Sequence, residues 1–340
     1  MSADTQYPFR RVEVRDMHDE PIEVVVLDGA SIVGDPEGAL RALIDAQPSD
    51  NLAAASHAEF DSLDAIKARV DRAAEGKSTN RDRADTFSGL SFDEMVRRLR
   101  DGWIEGGERA QELVTDVVTD VEQELRLVDH RRRARVWSEN GDEVDYDRVR
   151  EGRVDKAWRS SRRIREGRAP IITVVVPWGG GYRMSAETLF WRGAAGIAVA
   201  VALERIGYNV EIVAMSRNTQ RDPNGYGAEV AKAIRVKEPD RPLRVETIAS
   251  LMCDAAIYRV YGWAALLACE SKILPGLGRH RHLTADLDLE HSGEPLRLEG
   301  EAVVIGDVFG RADAQSEVMR VLKDVAEFAD DSDADEESYA

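Results

Sequence analysis

Residues 171–214, IITVVVPWGGGYRMSAETLFWRGAAGIAVAVALERIGYNVEIVA, decide the fold. Residues 171–176 form a near-continuous apolar run, the pattern of a strand covered on both faces. Pro177, Trp178, Gly179, Gly180 and Gly181 interrupt it with turn chemistry. Ser185 is placed to cap a helix whose first turn carries Glu187, an acidic side chain where the helix dipole favours one. The helix is predicted to reach Ile206 and stop at Gly207, a glycine suited to the residue just past a helix end. Residues 209–214 form the next apolar strand. Strand, long helix and strand in this order predict a right-handed βαβ unit with parallel strands. In α/β folds such junctions gather phosphates and metals, so the glycine-rich loop is the first place to look for a site.

Downstream, residues 243–248 (LRVETI) read as a strand and residues 251–271 as mostly helix. Residues 302–306 (AVVIG) read as a buried strand and 314–328 as an amphipathic helix. The tail, 330–340, is acidic without apolar anchors and is expected to be disordered. Upstream, residues 22–27 read as a strand, 36–46 as a short helix, and 62–74 as a helix capped by Ser62. Ser91 and Glu94 have capping-box spacing ahead of an apolar stripe of Phe92, Met95, Val96 and Leu99. That helix should stop near Gly102. Another follows from Glu105 or Gly107 to Val128, with Trp103 at the corner. Asn140-Gly141 marks a turn between Val136-Trp137 and Val144-Asp145-Tyr146. The expected organisation is a mixed, mainly helical region over 1–168, a Rossmann-like α/β domain with a parallel sheet and flanking helices over 169–329, and the tail.

The net charge of -18 and pI of about 4.9 disfavour non-specific binding to nucleic acid or anionic membranes. Lysine occurs only at Lys67, Lys77, Lys156, Lys232, Lys237, Lys272 and Lys323; the other cations are arginine. Acidic excess with scarce lysine suits a halophilic protein working in concentrated salt, and equally a GC-rich genome. Cys253 and Cys269 lack zinc spacing and lie in apolar helical pattern, so buried thiols are expected. The start, MSADTQYPFRR, has no apolar stretch, and the longest apolar run, 193–203, is short of the roughly 20 residues of a membrane span. A cytoplasmic protein without membrane contact is expected, or one of a host cytoplasm or virion.

Three stretches, ALERIGYNVEIVAM (202–215), RPLRVETIASLM (241–252) and AVVIGDVFGRAD (302–313), give residues 171–328 a resemblance to von Willebrand factor A-type domains of the cobaltochelatase-subunit kind. SFDEMVRRLRDGWIEG (91–106) ahead of such a half also resembles a family from tailed viruses and proviruses, which implies a viral or mobile-element origin. In A-type domains the first strand ends in Asp-x-Ser-x-Ser, whose oxygens hold a divalent cation that binds a partner's carboxylate. Here Pro, Trp and Gly stand at those positions and offer no side-chain oxygen, although a hard cation needs oxygen ligands. Ser185 and Thr188 come later, where capping is an alternative role, and Asp307 remains at the end of the late strand. The resemblance therefore implies a degenerate metal site and a non-enzymatic protein-binding or scaffold role. Its surface would be Trp178, Gly179, Gly180, Gly181, Tyr182, Arg183 and Asp307, with Trp178 exposed. No cofactor is expected; a divalent cation is the alternative.

Other features carry paired readings. The glycine loop fails the G-x-G-x-x-G pattern at Met184 and has no Gly-Lys-Ser/Thr; it is a sharp turn or an anion cradle helped by Arg183. Gly193, Gly196 and the surrounding alanines read as close packing on the sheet or as a partner-helix surface. His280 and His282, with Asp286, Asp288 and His291, read as a metal cluster or a solvated edge, with Arg279 and Arg281 opposing a cation. Arg131, Arg132, Arg133, Arg159, Arg162 and Arg163 read as a nucleic-acid contact or as partners for the many carboxylates. A metal-dependent enzyme using the His/Asp cluster or Asp307 is the third functional class. No Ser-His-Asp, Cys-His, H-E-x-x-H or kinase signature appears.

Overall fold

The computed structural model describes residues 8–15, 21–48, 60–76, 89–124, 133–138, 143–144, 150, 158–163, 171–179, 184–221, 227–269, 279–281 and 301–337. Strands β1 (Phe9–Arg15) and β2 (Pro21–Asp28) lead into helices α1 (Gly29–Gly34) and α2 (Pro36–Asp45). Helices α3 (Leu63–Ala74), α4 (Phe92–Asp101) and α5 (Ile104–Glu124) follow, then strands β3 (Arg133–Ser138), β4 (Glu143–Val144) and β5 (Trp158–Arg163). The remainder is β6 (Ile171–Pro177), α6 (Ala186–Ile206), β7 (Asn209–Arg221), β8 (Gly227–Lys237), α7 (Val245–Met252), α8 (Ala255–Leu267), β9 (Arg279–Arg281), β10 (Glu301–Val304) and α9 (Arg311–Glu337).

The protein is an α/β fold with one large sheet in the order β1-β2-β8-β7-β6-β10, and β9 pairs with the far end of β7. The predicted βαβ unit is present: β6 and β7 are parallel, and β10 adds in parallel on the other side of β6. The parallel arrangement stops at β7. Strand β8 returns antiparallel to it, β2 runs parallel to β8, and β1 closes the edge antiparallel to β2. The sheet is mixed because β7 and β8 are separated by the short stretch 222–226 (DPNGY). So short a connection joins antiparallel strands, whereas a parallel pair needs a long crossover. Strands from both halves of the chain therefore share one sheet.

Four local expectations need correction. Residues 243–248 are not a strand. The chain there enters α7, whose Ile248, Ala249, Leu251 and Met252 are buried at helical spacing. The segments flanking Asn140-Gly141 do not pair with each other: β3 and β4 both bond to β5, which lies between them. Ser91 accepts from the Glu94 amide as expected, but the Glu94 carboxylate turns to Arg97, a charged partner stronger than an amide. The acidic tail is helical as far as Glu337, although Asp330, Asp331, Asp333 and Asp335 are weak helix formers; extending an existing helix requires no new nucleus. Residues 338–340 lie outside the described residues.

The main core lies on one face of the sheet, beneath the helices, and runs from Val25 to Val325. A second cluster, including Val24, Val26, Val175, Val213 and Met215, occupies the other face and contains no helix residue among those described. Helix α6 is central, and residues 189–200 are buried without a break. Its glycines are there for contact: a Cβ on Gly193 would sit 2.4 Å from Cys253 Sγ, and one on Gly196 2.3 Å from Val176 Cγ2. α6 is long and apolar enough to cross a membrane by length and composition, but most of it is buried within the protein. Ser185 caps it and Gly207 ends it in the left-handed conformation.

Candidate functional site

The C-terminal ends of β6 and β10 meet the first turns of α6, and there the expected site residues can be traced. Trp178 is not exposed. It is 1% accessible, and its ring stands edge-on to Tyr258 at 5.4 Å. The reason is register: Ile172, Val174, Val176 and Trp178 continue the alternation of β6 onto the helix-covered face one residue past the strand. Gly179 is buried behind it. Gly180, Gly181, Tyr182 and Arg183 lie outside the described residues.

Asp307 lies three residues past the end of β10 and pairs with Arg192, which belongs to none of the motifs read from the sequence. Arg192, on the second turn of α6, is 1% accessible. Its Nη2 donates to Asp307 Oδ1 at 3.0 Å, its Nη1 to the Gly179 carbonyl at 3.1 Å and its Nε to the Val308 carbonyl at 3.2 Å. One planar guanidinium thus ties the glycine loop to the β10–α9 loop. Burial lowers the Arg192 pKa and the Asp307 charge opposes that shift; arginine titrates so far above neutrality that the cation persists. The guanidinium carries donors only and offers no lone pair to a metal.

Ser185 and Thr188 are close by but engaged. Ser185 Oγ accepts from the Thr188 amide at 3.1 Å and lies 3.0 Å from Thr188 Oγ1, while Thr188 Oγ1 donates to the Phe309 carbonyl at 3.5 Å. Of the two hydroxyls read as caps or as metal ligands, Ser185 caps α6 and Thr188 holds a loop carbonyl. Among the described residues no three His, Cys, Asp or Glu side chains converge as a metal site. His280 lies on β9 opposite Asn218 of β7; His282, Asp286, Asp288 and His291 lie outside the described residues, as do Arg131 and Arg132.

The loop after β10 is held at every residue. Ile305 N donates to the Val175 carbonyl, Gly306 N to Glu317 and Phe309 N to Asp313, and the Val308 side chain is buried. What this leaves outside is the Phe309 ring, 60% accessible, with the Arg192 guanidinium 5.8 Å from its centroid. Charged groups lie around α6 and α9. Glu187 takes bonds from Trp191 Nε1 at 2.7 Å and Arg109 at 2.6 Å, and Arg311 pairs with Asp116 at 2.6 Å.

Beneath this surface is a polar row inside the core. Strand pairing sets Lys232 opposite Ser216, one residue beyond the Pro177–Met215 pair and so level with Trp178. Lys232 is wholly buried, and among the described residues Trp178 Nε1 has no hydrogen-bond partner. Both lie against Tyr258, with the ammonium group 4.9 Å from the ring centroid. Burial lowers the Lys232 pKa, and the Arg259 charge adds to that shift. The two cysteines are free and buried, as expected, and burial raises both thiol pKa values. Arg192, Lys232 and Arg259 share a signal in the sequence: each is a lone cation inside an apolar run, LFWRGAA, VAKAI and AIYRVYG.

On the second sheet, register places Arg133 opposite Arg163, and Arg159 between Trp137 of β3 and Glu143 of β4. No curated protein and no solved structure matches the chain. A family model does match it over residues 47–327, across both the helical and the α/β parts, and the chain belongs to that family, described as a domain of unknown function (DUF7192).

Proposed function

We propose that the chain is a non-enzymatic protein-binding module that docks a protein partner on the β10–α9 loop, with Phe309 as anchor and Arg192 holding the loop beneath it. The observation that carries this reading is the immobilised loop with an exposed aromatic tip. A rigid aromatic surrounded by charged side chains has the make-up of an interface hot spot with a polar rim. Its loop loses little freedom on binding, which favours affinity. The viral or mobile-element origin implied by residues 91–106 accords with a scaffold role. The test is affinity capture with purified tagged protein in the presence of a chelator: Phe309→Glu should lose the partner that wild type retains. Equal capture by both proteins, or capture only with added divalent ion, would sink the reading.

A second reading, nucleic-acid binding, is favoured by one observation. The register of β3 and β5 sets Arg133 opposite Arg163 and Trp137 opposite Arg159. Like charges opposite one another on a sheet are unfavourable unless an anion neutralises them. This reading requires affinity for single-stranded RNA or DNA that falls steeply with salt; an affinity unchanged by salt removes it.

A further inference from the structure

We propose a second site at the opposite end of the sheet: a pocket for a small amphipathic anion, a carboxylate or sulfonate carried on an aromatic or aliphatic body. It stands independently of the docking loop. Strands β2 and β8 run against β6 and β7, so their carboxyl ends lie at the other end of the sheet, and carboxyl ends are where open α/β sheets bind ligands. There α1, the end of β8 and the start of α7 enclose a cavity of ≈ 340 Å³, within the size range of small-molecule sites. Val33, Val236, Pro242, Ile248 and Leu251 form its apolar walls. The close approach of α1 to β8 depends on Gly29, where a Cβ would come 2.6 Å from the Arg235 carbonyl oxygen.

The charge at this pocket is the reverse of the molecule's. Arg235, Lys237, Arg241 and Arg244 line it against Asp28 and Glu238, in a chain of net charge -18. All but one of these groups are engaged. Asp28 caps α1, Arg235 pairs with Glu211 at 2.8 Å, Lys237 with Glu204 at 2.8 Å and Arg241 with Glu238 at 2.7 Å. Arg244 is the exception. It is exposed, its side chain has no ion-pair or hydrogen-bond partner among the described residues, and it is the N-cap residue of α7 without a side-chain cap bond. A free guanidinium at the mouth, beside an uncapped helix start and above apolar walls, suits a ligand with an anionic head and an apolar body.

The test is a fluorescence titration with 8-anilinonaphthalene-1-sulfonate and with N-phenyl-1-naphthylamine, the same ring body without the sulfonate. The anionic probe should saturate a single site and bind at least about tenfold more tightly than the neutral one, the factor expected of one charge-assisted contact. Arg244→Glu should remove that advantage and leave the neutral probe unchanged. Gly34→Leu should abolish both signals. Gly34 lines the pocket and a Cβ there meets nothing within 4 Å, so the variant has room to fold. Non-saturable binding, or Arg244→Glu binding the anionic probe like wild type, overturns the proposal even if Gly34→Leu fails to fold.

Discussion

Two of the buried cations, Arg192 and Lys232, make different demands. Arg192 is satisfied: its fork meets one carboxylate and two carbonyls. Arg192→Ala would leave those acceptors unpaired and should cost about 1–3 kcal/mol, read from urea unfolding. Arg192→Lys keeps the charge but has no planar fork, so it should recover only part of that loss. Lys232 is wholly buried beside Tyr258, and because its ammonium group loses its hydration there, Lys232→Met, of similar volume, should raise stability by about 1–3 kcal/mol at neutral pH. The pH dependence has a definite sign. The folded-state pKa is lowered, so the unfolded chain takes up the proton first as pH falls below the ordinary lysine value. The stability of wild type should therefore rise with pH towards about 10.5, and the advantage of Lys232→Met should shrink over that window. A gain unchanged with pH would mean that Lys232 is charged in the folded protein. Neither role is contained in the local sequence, because each depends on which carbonyls and rings the fold brings around the side chain. The burial itself is legible: a single cation in an apolar run either pairs inside or weakens the core.

At the scale of elements, the βαβ unit was readable because its signals agree: a continuous apolar strand, Ser185 as cap, Gly207 as stop, then another apolar strand. The β7–β8 hairpin was equally available in the sequence. Pro223-Asn224-Gly225 has the composition of a turn, and it separates β7 from the antiparallel β8. LRVETI misleads for a physical reason. Its β-branched residues suit strands, but only in α7 do Ile248, Leu251 and Met252 all turn to the core. Trp178 required one more step of period-two counting past the end of β6. The α6 glycines give a test of packing against propensity. Gly196→Ala should gain roughly 1 kcal/mol of helix propensity but forces a methyl against Val176 Cγ2 at 2.3 Å. Overpacking costs about 1–3 kcal/mol, so the net change in urea unfolding should be destabilising. A stabilised variant would mean that α6 lies further from the sheet.

Over the whole molecule, acidity and architecture act on different properties. A net charge of -18 repels itself in the compact state, and salt screens that repulsion over a distance that shrinks to about 3 Å at 1 M. The melting temperature should rise steadily from about 0.01 M to 1 M sodium chloride; a flat profile would mean that paired clusters such as Arg311–Asp116 and Lys237–Glu204 already neutralise the surface. Composition foretold an acidic α/β protein with a buried core, yet not where its local charge would reverse or which aromatic would stay outside. Those properties arise when distant segments meet at the two ends of one sheet. The most direct test of the docking loop is a photo-crosslinking residue at Gly310, where a Cβ meets open space, used in native cells with chelator in the buffer. One discrete protein adduct is expected, and it should disappear when Phe309→Glu is added to the same chain. An adduct that survives Phe309→Glu, or that an identical crosslinker at exposed Arg72 on α3 reproduces, would contradict the placement of the partner on this loop.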